Sequence, residues 1–305
     1  MSNEATQYVP GFMANLRLSP QQMEKRFIGA VDADLSHTAP GTLFNADDIG
    51  VANGNEVTVT GRAPPTPEGF ADHKRRVGFF EAKANQRWIE SLEKVRMLVD
   101  PTNPIMESMM AEKNRGSDDR IIQGLFENSR NGQNGETSTA FPAAQIIAVD
   151  NRDFIHDAEV LPGSGNLPLT VGKLIKAKIM LDQSELEGER YFACSSIQLG
   201  NLLSSTPVTS ADYNTIGALA AGKTDDFMGF KFIRSERLTV ASNIRRCAAW
   251  VKPAIQYKER PITNAQLTQR ADRSYRWQAY YEVDRGCLRR YDEGVVQVLC
   301  TEVVF

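Results

Sequence analysis

Residues 103–127, Asn-Pro-Ile-Met-Glu-Ser-Met-Met-Ala-Glu-Lys-Asn-Arg-Gly-Ser-Asp-Asp-Arg-Ile-Ile-Gln-Gly-Leu-Phe-Glu, decide how the rest of this chain is read. Asn103 is a good helix N-cap, and Pro104 suits the first helical position, where its missing N–H has no intrahelical partner to lose. Ile105, Met109, Ile121, Ile122, Leu125 and Phe126 supply apolar positions compatible with one helical face. The spacing predicts a continuous helix of about 24 residues, roughly 36 Å long. Gly116 in its middle costs about 1 kcal/mol relative to alanine and is expected to mark a bend. Arg115 and Asp119 are spaced for an i,i+4 ion pair. Asp118 and Asp119 point about 100° apart, so they do not converge as a catalytic pair.

Working toward the N-terminus, His73 to Ala84 reads as extended, residues 63–69 as a proline-rich tip, and Glu56 to Arg62 as an alternating strand. A hairpin with so little apolar content is marginal in water and needs another surface to lie on. Its basic residues Arg62, Lys74, Arg75 and Arg76 are candidates to meet acidic groups of a neighbouring subunit. Ser19-Pro-Gln-Gln22 has the form of a capping box and predicts a short amphipathic helix carrying Met23 and Phe27 to about Ala30. The polar residues before Ser19 read as an arm, disordered in a free monomer and ordered on assembly.

Toward the C-terminus, Ser129 to Thr139 reads as loop, and residues 144–149 as a strand. Thr170 caps a helix carrying Val171, Leu174, Ile175, Ile179 and Leu181. Arg190 to Cys194 reads as a strand, followed by helices near residues 197–203 and 210–221. Further strands are expected at 227–233, 248–257, 275–281 and 294–304. Helix and strand alternate in the middle and strands dominate the last third, so the fold class is α+β.

Composition is that of a globular chain: 305 residues, 41% hydrophobic and 24% charged, which excludes collagen-like and wholly disordered classes. With 35 Lys+Arg against 38 Asp+Glu, the net charge of −3 argues against tight nucleic-acid binding. Charge is uneven, however: Arg245 to Arg290 holds about eleven basic and about four acidic residues. Internal pairing with weak, salt-sensitive DNA contact is the expectation for that segment, with Arg270, Arg273 and Arg276 as its exposed members. No stretch approaches the roughly 18 apolar residues of a membrane span, and the first residues lack a signal-peptide pattern, so no membrane partner is expected. Cys194, Cys247, Cys287 and Cys300 form no CxxC pair and read as reduced, mostly buried thiols in a cytoplasmic setting.

Several strings imitate chemistry. Gly217 to Thr224 satisfies G-x-x-x-x-G-K-[ST], but a helix leads in and a strand leads out, the reverse of a phosphate loop, and Gly222 sits where a helix C-cap glycine belongs. A P-loop NTPase is therefore a weak alternative. His37, His73 and His156 are far apart without metal-ligand spacing, and His156-Asp157 has no G-x-S-x-G elbow to serve. No catalytic residue, cofactor site or metal site is expected.

KVRMLVDPTNP from Lys94, DDRII from Asp118 and TAFPAAQIIAV from Thr139 resemble tailed-bacteriophage major capsid proteins. So do TPVTSADYNT from Thr206, DDFMGFKFIRSERL from Asp225, RRCAAW from Arg245 and RADRSY from Arg270, in the same order. The likeness is strongest from Lys94 to about Tyr275. It implies the Hong Kong 97-like shell fold. The parts would be an N-terminal arm (1–45), an extended β-hairpin loop (46–93), and a peripheral domain beginning with a spine helix (94–150). An axial domain (151–245) and a β-rich return to the peripheral domain (246–305) would follow. The resemblance also implies a structural subunit made in the bacterial cytoplasm and assembling into hexamers and pentamers around double-stranded DNA. Portal, scaffold and decoration proteins are the further partners it suggests. An encapsulin-type compartment with protein cargo is the alternative on the same fold.

Overall fold

The computed structural model describes residues 19–50, 73–89, 102–153, 165–205 and 226–303. The decisive helix is there: α1 runs over Thr102–Phe126. Its inner surface lies on strand β14, Arg276–Arg289. A Cβ at Gly116 would collide with the Arg285 guanidinium, and one at Gly124 with the Cys287 sulfur. Close approach explains both glycines.

β14 belongs to a four-stranded sheet in the order β1-β13-β14-β4, with β1 at Asp32–Asp34, β4 at Glu81–Ile89 and β13 at Ile255–Arg270. The β13–β14 pair forms a long antiparallel tongue whose register slips at Pro261, which has no N–H to give the ladder. The strand expected over 248–257 is two strands. Pro253 lies in a 3-10 turn, Lys252–Ala254, and there the chain leaves one sheet for another.

The larger sheet has the order β7-β15-β12-β8-β10-β9, with β11 on the edge of β12. These strands are β7 (Ile146–Ile147), β8 (Arg190–Cys194), β9 (Asp226–Phe227), β10 (Phe230–Arg234), β11 (Val240–Ala241), β12 (Ile244–Val251) and β15 (Val295–Thr301). The strand expected over 227–233 is a hairpin, because Met228 and Gly229 both take positive φ, the geometry of a tight two-residue turn. Side chains alternate faces along a strand. Phe192 and Cys194 of β8 therefore join a core with α2 (Val171–Gln183) and α3 (Ser196–Ser205). Tyr191 and Ala193 face the opposite core, with Trp250, Phe27 and the Ile121, Ile122 and Leu125 face of α1. Burial on both faces is why β8 and the later part of β12 read as almost unbroken apolar runs. Thr170 caps α2 as expected, its Oγ1 accepting from Lys173 N at 3.3 Å. Lys173 itself is fully buried, its Nζ donating to the carbonyls of Val149, Leu167 and Leu299, each at 2.9 Å.

A third sheet, β2-β3-β5-β6, stands beside α1 and comprises Leu43–Ile49, His73–Phe79, Ser129–Asn131 and Thr137–Thr139. The boundary expected at 45/46 falls inside β2. Three other expectations are corrected. Ser129 to Thr139, expected as loop, forms the β5–β6 hairpin. The strand over 144–149 shortens to β7 behind a 3-10 turn at Ala143–Gln145. Residues 19–30 do not form an amphipathic helix: only Ile28–Ala30 turns, as 3-10. The backbone groups that a helix would have used internally are bonded instead by side chains of α1. Asn114 Nδ2 donates to Met23 O at 2.7 Å, Arg115 to Gln22 O at 3.1 Å, and Asp118 accepts from Arg26 N and Phe27 N.

Candidate assembly surfaces

Three features bring charged side chains together. The first is the base of the segment that leaves the described chain after residue 50 and returns at 73. β2 and β3 pair from Leu43/Phe79 out to Ile49/His73, and Ile49 at the outer end is 73% exposed. The register sets Arg75 opposite Asp47, and the two form an ion pair. Arg76 emerges on the other face. It donates to both Asp292 oxygens, at 2.9 and 2.6 Å, and to Ser129 Oγ and Arg289 O, each at 2.9 Å. Arg289 donates to the same carboxylate at 2.6 Å, and to Leu125 O and Glu127 O at the end of α1. Burial opposes ionisation of Asp292, but the hydrogen bonds and charge of Arg76 and Arg289 hold its pKa at about 2. Arg290 and Tyr291 together hold Asp48. The acidic partners expected across an interface are thus supplied to Arg75 and Arg76 by their own chain, because the strand pairing places Asp47 and Asp292 within reach. Lys74 is exposed on β3, and Arg62 lies outside the described residues.

The second feature is the strap of residues 21–27 across α1. Asp118, buried, takes backbone N–H groups from Arg26 and Phe27 and the Gln22 amide. Burial raises its pKa, and those hydrogen bonds only partly offset the rise. Beside it Glu259 of β13 receives Lys25 at 2.6 Å, Tyr257 Oη at 2.8 Å, Ser117 Oγ at 3.2 Å and Lys113 at 3.7 Å. Burial pushes this carboxyl up, but the partners, Lys25 foremost, outweigh it and leave the pKa below its usual value. The expected Arg115–Asp119 pair does not form: Arg115 reaches Gln21 and Gln22 of the strap, and Asp119 pairs with Arg237. Asp118 sits three, four and seven residues before Ile121, Ile122 and Leu125, on their face of the helix. That position was the available signal that this aspartate is buried.

The third is the tip of the tongue. Arg270, Arg273 and Arg276 are all exposed there, around a turn in which Ser274 and Tyr275 have positive φ. Arg270 pairs locally with Asp272. Tyr275 adds exposed apolar surface there, 64% accessible. Much of the remaining basic segment pairs inward, Arg245 with Glu302, Arg289 with Asp292 and Arg290 with Asp48.

The strings that imitate chemistry resolve differently. His37 bonds Asp34 and stacks on Phe80; Gly217 to Thr224 and His156 lie outside the described residues. All four cysteines are buried free thiols, with burial pushing Cys194 and Cys287 up to about 12. Among the described residues no three of His, Cys, Asp and Glu cluster as metal ligands.

Comparison with known proteins gives this arrangement its context. No curated protein matches the chain in sequence. Among solved structures it superposes on the capsid of Ralstonia phage GP4 with a TM-score of 0.73 at 11% identity, covering 99% of this chain and 97% of that one. The capsid of cyanophage P-SCSP1u gives 0.71 at 12% identity, with 98% and 94% covered. The capsid of a native GTA particle gives 0.68 at 10% identity, with 98% and 97% covered. At such identities the likeness is one of fold. The family profile described as phage capsid protein matches residues 5–302, nearly the whole length, and the chain therefore belongs to the phage capsid protein family.

Proposed function

We propose that this chain is the major capsid protein of a tailed phage, a non-enzymatic subunit with the Hong Kong 97-like arrangement. It assembles into hexamers and pentamers of an icosahedral shell enclosing double-stranded DNA. The observation that carries the reading is the end-to-end match to the capsid family, with solved capsids superposing over nearly all of both chains. In this reading α1 is the spine helix. β2 and β3 root the extended loop on the subunit's own body, and the strap leads the arm away along α1.

In this reading the basic residues divide by task. Arg75 and Arg76 hold the loop base within the subunit, leaving Lys74 and Arg62 as the loop's contacts to a neighbour. Arg270, Arg273 and Arg276 at the tongue tip supply weak, salt-sensitive contact to DNA or to acidic groups of other subunits. Expression of the full chain followed by electron microscopy tests the central claim. Closed shells of uniform diameter are expected. Monomers or amorphous aggregate under all salt and pH conditions, with or without co-expressed partners from the same phage, would sink it.

A further inference from the structure

The described residues include three buried arginines, and two have their charge answered: Arg245 by Glu302 and Arg289 by Asp292. Arg285 of β14 does not. Only 4% of it reaches solvent, its one hydrogen bond among the described residues is to Lys113 O at 3.4 Å, and its buried Nε donates to nothing. The carboxylate opposite it in register, Glu259 of β13, is already taken by Lys25, Lys113, Tyr257 and Ser117. A buried cation without a counter-ion is a structural debt that proteins normally settle with an anion.

The guanidinium opens onto a cleft of about 440 Å³ between α1, β4 and β14. Gly116 floors it, since any Cβ there would occupy the space that the Arg285 guanidinium holds. Arg120 lines the same cleft, and its Nε is a second buried donor with no partner. Lys83, Arg115 and Arg237 bring the lining to five cations against three carboxylates. Those carboxylates are engaged: Glu81 with Lys83, Asp119 with Arg237, and Glu112 with Asn85 Nδ2 at 2.7 Å.

We propose that this cleft is an oxyanion site, in which a phosphate or carboxylate group sits against the Arg285 guanidinium, with Arg120 beside it in the lining. Planar guanidinium donors in a partly enclosed, cation-rich cleft match that chemistry. The oxyanion has two sources, a dissolved ion or an acidic side chain from a second copy of this chain. Only the second source rests on the shell reading.

The test is a calorimetric titration of the unassembled full-length chain, in phosphate-free buffer, with inorganic phosphate. One saturable site per chain is expected, with sulfate competing. Arg285→Met should weaken binding at least tenfold, and Arg285→Lys several-fold if the methionine variant does not fold. Glu112→Gln, which removes a competing carboxylate from the lining, should bind at least as tightly. Arg273→Gln, at the distant tongue tip, should bind unchanged. Repeating the titration on assembled shells separates the sources. Retained binding identifies a dissolved ion, and binding lost on assembly identifies a neighbour's carboxylate. Absence of saturable binding by the free chain, or equal affinity in both Arg285 variants, would overturn the proposal.

Discussion

The two halves of this molecule are held together by different physics. Around the larger sheet, α2 and α3 close over Phe192, Phe230, Phe232, Val296 and Val298 in a broad apolar core. Along the tongue, the upper part of α1 has only the small cluster of Met109, Ala279, Tyr281 and Val283, and the contact is completed by Asp118, Glu259, Lys113, Arg285 and Arg289. Apolar burial is non-directional and tolerates small shifts, whereas buried charge is satisfied in one arrangement and costly in others. The sheet half relies on the first kind of contact, and the tongue half leans on the second, which holds one geometry.

The contrast can be broken by substitutions. Trp250 is fully buried where the sheet meets the strap, with Nε1 donating to Ala30 O at 2.8 Å. Trp250→Ala should cost about 3–5 kcal/mol, read as a lowered urea midpoint. A loss below about 1 kcal/mol would show that the sheet half does not depend on its core. Lys173→Met probes a fully buried cation in the apolar half. It strands three carbonyls, and a loss of about 2–3 kcal/mol is expected despite the better hydrophobic match.

Acid sharpens the comparison, because the carboxylates respond with opposite sign. Asp292 has a pKa of about 2, below its ordinary value, so its contribution is complete above pH 4 and is lost as pH falls toward 2. A shift of that size corresponds to about 2 kcal/mol. Asp292→Asn should remove this part of the acid sensitivity, as seen in urea midpoints measured from pH 5 to pH 2. Asp118 is shifted upward, so its ionisation weakens the fold as pH rises through its pKa, and mild acid relieves that cost. Asp118→Ala should free residues 21–27 at about 1–2 kcal/mol, detected as faster tryptic cleavage at Lys25 and Arg26, while Asp118→Asn keeps most of the protection. The smallest effect belongs to the exposed Arg75–Asp47 pair: Arg75→Ala should leave the urea midpoint where it is.

How much of this was legible in the sequence follows the same division. Periodicity found α1 to within two residues at each end, although the helix starts at Thr102, ahead of the expected Asn103 cap, and it found α2 with its cap, because local spacing determines them. β8 was found with its bounds, but half of β12 was missed, because Arg245 and Arg246 interrupt its apolar run. What the sequence hid was which charges pair. Arg115 and Asp119 have ideal spacing for each other, yet both reach across to other segments, because the strap and Arg237 offer partners that no local pattern encodes. The Ser19 capping box failed for a related reason: α1 satisfies that backbone better than a helix of its own would. The basic triplet at 74–76 was read as meeting acidic groups of a neighbour, because the intrachain partners of Arg75 and Arg76, Asp47 and Asp292, lie 28 and 216 residues away.

One topological detail bears on how the protein is made. β15, the last strand of the larger sheet in chain order, lies inside that sheet, hydrogen-bonded to β12 on one side and β7 on the other. A ribosome adding about 5–20 residues per second makes it only after every other strand of that sheet. Until then β12 has a bare edge, and the carbonyl of Leu299 that Lys173 requires does not yet exist. A chain interrupted before β15 lacks one wall of that core, and it should be cut by proteases faster than the full chain.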